Sequence, residues 1–230
     1  MRPPLGGAFP AGPRQAATSI RARTVSPGVA LSIPVILGTV REGRQSEHLA
    51  RYVHGRLNAR TGMESALIDP RDHDFGNLRG RVIDLPDLDP SAPPPGVPIT
   101  DELRRFIRRM HEADGFVLVT PEYNYSFPGT LKNLLDVTLK PWRRKPFGLV
   151  ACGGISGGLR CIDSLRQVVS GLGGVTVPAH VPVANIQRTF GPGGPLADAE
   201  DWRRRIDGFL DEVAWYASAL KAARSGPVQA

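Results

Sequence analysis

At 230 residues and 41% apolar content the chain can bury one sizeable α/β core, and no apolar run approaches the roughly 20 residues that span a bilayer. The net charge of +7 first suggests a nucleic-acid partner, but residues 1–33 hold Arg2, Arg14, Arg21 and Arg23 and no acid, leaving 25 basic against 22 acidic residues elsewhere. That remainder has no basic stripe interleaved with aromatics, and its densest cluster, Arg203 to Arg205, is flanked by Asp198, Glu200, Asp201 and Asp207, so neither nucleic acid nor a membrane is an expected partner.

Residues 1–32 are rich in Pro, Gly, Ala and Arg, show no sustained apolar period, and are expected to form a disordered N-terminal extension. No continuous apolar segment follows the positive start, which argues against a secretory signal. Two readings stay open, an organelle transit peptide and a mis-assigned start codon. Residues 33–225 are expected to form the folded domain.

From residue 33 the apolar pattern alternates between strand and helix periods. Strands are predicted at 33–38, 64–68, 115–120, 147–152 and 175–182, and helices at 46–60, 101–113, 129–139, 159–172 and 198–223. Thr100, followed by Asp101 and Glu102, is a predicted N-cap with favourable charge in the first turn. Alternation implies parallel strands joined by right-handed crossovers. Five such units predict an α/β fold with a doubly wound five-stranded parallel sheet, order 2-1-3-4-5, and helices on both faces. Its ligand crevice lies at the carboxyl edge of the strands. Residues 70–98 interrupt the alternation as a long Pro- and Asp-rich loop, in which 82–85 is a possible short strand and Asp84 and Asp87 read as turn formers.

Three strand-to-helix loops carry candidate chemistry. After the first strand, Thr39 and Ser46 offer hydroxyls, Arg41 and Arg44 offer guanidinium forks, and the next helix presents unpaired N–H groups, together an anion site of phosphate-monoester size. The alternative is a surface turn with Ser46 as N-cap. Neither GxxxxGK[ST] nor GxGxxG occurs there, which sets aside a triphosphatase loop and an ordinary dinucleotide fold. After the third strand, Tyr123, Asn124 and Tyr125 combine flat faces with amide donors and an acceptor, a set suited to a planar heteroaromatic ring. The alternative there is a Tyr packed on the adjacent helix and an Asn closing a turn. After the fourth strand, Gly153, Gly154, Gly157 and Gly158 allow close backbone approach to the polar edge of such a ring.

The remaining candidates are weaker. Cys152 and Cys161 fit neither a disulfide framework nor a zinc spacing and read as small buried hydrophobes of a reduced, cytoplasmic protein, with a reactive Cys152 as the alternative. The five histidines form no metal-ligand cluster, so no metal is expected. Arg143, Arg144 and Lys145 form a basic cluster after the third helix, read either as a solvated face or as a site for a 2′-phosphate.

With GTVREGRQS at 38–46, PEYNYSFPGTLKN at 121–133 and GGISGGLR at 153–160, the chain resembles the NADPH-dependent FMN reductase family of flavodoxin-like azo and quinone reductases. The resemblance implies that Thr39, Arg41, Arg44, Gln45 and Ser46 hold the FMN phosphate. It places Pro121, Glu122, Tyr123, Asn124 and Tyr125 against the isoalloxazine and Gly153, Gly154 and Gly157 along its pyrimidine edge. It implies hydride transfer from NADPH, or NADH, to FMN and then to a quinone, azo compound, free flavin or metal ion, with no catalytic side chain. A homodimer or dimer of dimers is the implied assembly. The rival function is a flavodoxin-like electron carrier, which is typically acidic and has a hydroxyl-rich phosphate loop where this chain has arginines.

Overall fold

The computed structural model describes residues 30–226, apart from 74–79, 83, 85–87, 90, 93, 94 and 97. The elements are β1 (Leu31–Ser32), β2 (Val35–Leu37), α1 (Ser46–Asn58), β3 (Met63–Glu64), β4 (Leu67–Ile68), α2 (Asp101–Glu112), β5 (Phe116–Pro121), α3 (Gly129–Asp136), β6 (Pro146–Gly153), α4 (Leu159–Gly171), β7 (Val175–Ala184), α5 (Ile186–Thr189), β8 (Phe190–Gly191), β9 (Gly194–Pro195) and α6 (Ala199–Ser225). The main sheet has five parallel strands in the order β4-β2-β5-β6-β7. Those strands overlap the five predicted segments, with β5, β6 and β7 running one or two residues beyond them, and their order is the expected 2-1-3-4-5.

Both faces of the sheet are covered, so neighbouring residues of one strand feed two cores. Along β5, Phe116 and Leu118 join Phe106, Leu134, Trp142 and Leu165 on the α2, α3 and α4 side. Val117 and Val119 join Leu49, Val53, Phe209 and Leu210 on the α1 and α6 side. This is why 115–119 reads as an uninterrupted apolar run. The run forms a strand buried on both faces, and its carboxyl end must carry the chain out into a surface loop.

Two predicted boundaries differ for local reasons. The first strand is split at Pro34, which has no N–H to give a ladder, so β1 pairs with β3 while β2 enters the main sheet beside β4. The third helix stops at Asp136 instead of continuing to residue 139, and a separate 3-10 turn at Lys140–Trp142 follows, with Pro141 in its opening positions where no N–H is needed. The Trp142 indole N–H, 3.0 Å from both Leu135 O and Thr138 O, takes up the carbonyls that this leaves. The Thr100 hydroxyl caps α2 as expected, accepting from Leu103 N. In the possible strand at 82–85, residues 83 and 85 lie outside the described residues, and Val82 makes a single parallel bridge to Thr138. Asp84 pairs with Lys140 and His111 and so ties the long loop down; Asp87 lies outside the described residues, as does nearly all of the 1–32 segment. No helix among the described residues is long and apolar enough to cross a membrane.

Helix α6 lies so close to β6 that a Cβ on Gly148 would meet Phe209 Cζ and Val213 Cγ2 at 2.6 Å. Gly208, on the exposed side of α6, has nothing within 4 Å of its Cβ position. Opposite effects are therefore expected from the same substitution. Gly148→Ala should destabilise the protein by about 1–3 kcal/mol through overpacking, and Gly208→Ala should stabilise it by roughly 0.5–1 kcal/mol through helix propensity, both read from urea unfolding midpoints.

Candidate functional site

The loops after β2, β5 and β6 leave the same carboxyl edge of the sheet, beside one another in space although 80 residues and more separate the first from the others. They are also bonded to each other. Thr39 Oγ1 lies 2.9 Å from Tyr123 Oη, Thr130 Oγ1 donates to Gly38 O, and Glu122 N donates to Cys152 O at 2.8 Å.

The first loop is organised by a buried cation. Arg44 Nη1 and Nη2 donate to both carboxylate oxygens of Asp69, just beyond β4; Nη1 also donates to Thr39 O, and Nε donates to Glu47 at 3.1 Å. Burial alone would lower the Arg44 pKa, but the bonds from Asp69 and Glu47 outweigh it and raise it. Burial alone would raise that of Asp69, but the bonds from Arg44 and Arg71 prevail and hold it at about 2. Arg44, expected to face an anion, instead braces the loop. Gln45 is the helix N-cap residue without a side-chain cap bond, and its amide donates to Gly43 O, so the reading of Ser46 as N-cap does not hold. Ser46 is the first residue of α1, buried, and its hydroxyl has no partner. Arg41 is exposed, and its guanidinium lies 3.7 Å from the Tyr123 ring centroid.

The second loop is a tight hairpin. Tyr123 and Ser126 exchange both backbone hydrogen bonds, at 2.7 and 3.0 Å, and the two residues between them have positive φ, 50° at Asn124 and 69° at Tyr125. Such primed turns favour Asn at the first position and Gly at the second. A bulky Tyr at the second is strained and tends to mark a functional site. The turn drives Tyr125 outward to 68% exposure. Pro121 ends β5, and the Glu122 side chain folds inward.

In the third loop the glycines divide their roles. Gly157 has φ +64°, and a Cβ on it would come within 3.1 Å of Val183 N, Ala184 N and Pro182 Cβ. Its own N–H donates to Gly154 O at 3.2 Å, so Gly157 shapes the turn and has no amide free for a ligand. Gly153 is closed off by Gly158 N, 3.0 Å from its Cβ position, whereas Gly154 faces open space. Ile155 beyond it is 95% exposed.

The basic cluster 143–145 lies elsewhere. It precedes β6 and so sits at the opposite, amino edge of the sheet. Lys145 is buried, its ammonium donates at 2.7 Å to both Met110 O and His111 O at the end of α2, and burial lowers its pKa to about 7. Arg143 packs beside Gly173, and Arg144 O accepts from Arg224. The cluster therefore cannot serve the carboxyl-edge site of its own chain. Cys152 and Cys161 are both buried, and burial pushes both thiols up to about 12, which removes the reactive reading of Cys152.

Residues 31–188, more than half of the chain, match the family model described as NADPH-dependent FMN reductase. The chain belongs to that family. It is 31% identical over 173 residues to an NAD(P)H-dependent FMN reductase of Saccharomyces cerevisiae, covering 68% of this chain and 84% of the relative. It is 28% identical over 185 residues to an FMN-dependent NADPH-azoreductase of Staphylococcus haemolyticus, covering 78% and 91%. Among solved structures, the flavoenzyme NAD(P)H:(acceptor) oxidoreductase of Paracoccus denitrificans superposes with a TM-score of 0.62 at 20% identity, over 81% of this chain and 99% of the other. That likeness establishes the shared flavodoxin-like fold. Within this FMN reductase fold, Arg160 is the functional candidate that the sequence left without a role. It stands at the end of GGISGGLR, but its neighbours Glu122 and Tyr125 meet it only in three dimensions.

The Arg44 clamp yields a prediction. Asp69→Asn leaves the buried guanidinium with one carboxylate, Glu47, and should cost about 3 kcal/mol at neutral pH. The folded Asp69 pKa is depressed, so its stabilisation is present above the unfolded value of about 4 and is lost as pH falls through about 2. Urea midpoints of wild type and Asp69→Asn should therefore converge over that acid window.

Proposed function

We propose that the protein is an FMN-dependent NAD(P)H oxidoreductase whose cofactor lies along the carboxyl edge, with its phosphate at the first loop and its ring at the second and third. The observation that carries this reading is Ser46: a buried hydroxyl without a partner, on the first residue of a 13-residue helix whose dipole favours an anion there. The next two N–H groups, expected to be unpaired, instead donate to Arg44 O and Gln45 O. Thr39 and Arg41 complete the donor set, and Gln45 lies beside them. Arg44 keeps the loop in the shape that presents them. The residues fit the ring as well. The hairpin presents Asn124 and Tyr125 outward, and Gly154 leaves an open cradle that a side chain would fill. Pro121, Glu122 and Tyr123 form the floor under the hairpin, and Gly153 and Gly157 hold the cradle in shape.

Bound FMN supplies reversible two-electron chemistry, taking hydride from NAD(P)H and passing it to an acceptor. The chain binds and orients it. The backbone amide of Gly154 is placed to stabilise negative charge on the polar edge of the ring. No thiol takes part, since both cysteines are buried and protonated. Azo compounds and quinones are the proposed acceptors, in keeping with the azoreductase relative and an exposed, open hairpin. The exposed apolar residues Tyr125, Ile155 and Leu159 around the site support a homodimer or dimer of dimers that covers this edge. Two free cysteines support a cytoplasmic location.

Purified protein is expected to carry a flavin absorbance band that bleaches on anaerobic addition of NADPH and recovers on adding a quinone. Bound flavin that neither NADPH nor NADH bleaches would instead identify an electron carrier. Folded protein that takes up no FMN would contradict both.

A further inference from the structure

Arg160 occupies the first turn of α4, where a cation opposes the helix dipole, and no acidic residue in that turn offsets it. Its support comes from the second loop. Glu122 Oε1 lies 3.6 Å from Arg160 Nη1, and the Arg160 guanidinium lies 4.3 Å from the Tyr125 ring centroid. The Glu122 side chain is 10% exposed, and its Oε2 is buried without a hydrogen-bond partner, so among the described residues its charge is matched by Arg160 alone, at a single long contact. The strained conformation of Tyr125 places its ring under this same guanidinium.

Two locally unfavourable features thus serve one arrangement, the usual mark of a functional position. The result is a cation fixed in place yet 56% exposed, whose planar fork makes no hydrogen bond to any described residue. Arg44, by contrast, has its fork filled by Asp69 and Thr39. A guanidinium over an aromatic ring, with no hydrogen bond to a described residue, leaves its N–H donors free for the bidentate geometry of a phosphate. Arg160 follows the loop beside the proposed ring, away from the Ser46 end proposed to take the cofactor phosphate. The 143–145 cluster, the other source of positive charge for a nucleotide, is at the far edge of the sheet.

We propose that Arg160 binds a phosphate group of the incoming nicotinamide dinucleotide, and that Glu122 and Tyr125 position it. This rests on the reading that the chain turns over a nicotinamide donor. The group bound is either the pyrophosphate, common to both donors, or the 2′-phosphate that NADPH alone carries. A bidentate charged contact of this kind sets affinity for the donor without touching the chemistry.

The test uses the FMN-loaded protein. NADP+ and NAD+ are titrated calorimetrically into oxidised wild type, Arg160→Gln, Arg160→Lys and Glu122→Gln, and initial rates are measured with NADPH and NADH against a neutral quinone. Arg160→Gln is expected to weaken NADP+ binding and raise the NADPH KM by about tenfold or more, with kcat and flavin content little changed. Arg160→Lys should recover part of the loss, and Glu122→Gln should show a smaller loss of the same kind. Equal losses for NAD+ and NADP+ assign the pyrophosphate; a loss confined to NADP+ assigns the 2′-phosphate. Unchanged affinity and KM for both donors in a fully flavinated Arg160→Gln overturn the inference and leave the function standing. Loss of flavin from Arg160→Gln overturns it in favour of a cofactor contact. Wild-type flavoprotein that neither donor reduces overturns the function and the inference together.

Discussion

A single buried guanidinium decides the shape of the 38–45 loop. Arg44 joins the carbonyl of Thr39, the carboxylate of Asp69 beyond the neighbouring strand, and Glu47 on the helix that follows. A charge removed from water in this way is tolerated only when its donors are met, so Asp69 and the Thr39 carbonyl are held where Arg44 needs them. These bonds tie the 38–45 loop to the residue after β4 and to α1. The groups proposed to bind the anion, Ser46, Thr39 and Arg41, are held in place by a residue that need not touch it. Such preorganisation lowers the ordering cost of binding.

The other two loops apply the same logic with different means. In the 123–126 hairpin, positive φ at Asn124 and Tyr125 turns side chains outward at the cost of backbone strain. In the 153–158 turn, Gly157 lets the chain fold back against Val183 and Ala184, which leaves Gly154 open. The Thr39–Tyr123 hydrogen bond then ties the first loop to the second, and the Glu122–Arg160 contact ties the second to the third. The site is therefore one connected unit, and a disturbance at Asp69 is expected to reach the hairpin.

Strand order and the joint position of the three loops were legible in the sequence, because the 115–119 run and the alternating pattern around it admit few topologies. Long-range polar partners were not. Arg44 read as an anion ligand because nothing local marks Asp69, 25 residues on, as its counter-ion. Gly157 read as a ligand-facing amide, although its N–H closes the turn that it helps to form. Of the two readings of the 143–145 cluster, the 2′-phosphate site in its own chain fails, because residues that precede a parallel strand lie at the edge opposite the three loops and β6 begins directly after it. Arg143 and Arg144 are exposed, as the solvated reading has them. Arg160 had no assigned role because its value depends on a buried Glu122 and a strained Tyr125, neither of which sequence spacing reveals.

The proposed function depends most on the first loop being a phosphate site. Fluorescence titration of the apoprotein with FMN and with riboflavin, which lacks only the phosphate, tests this directly. FMN is expected to bind at least about a hundredfold more tightly, the order of two charge-assisted hydrogen bonds, and Ser46→Ala to narrow the gap. Equal affinity for the two flavins would contradict the assignment of the Thr39 to Ser46 loop to the cofactor phosphate.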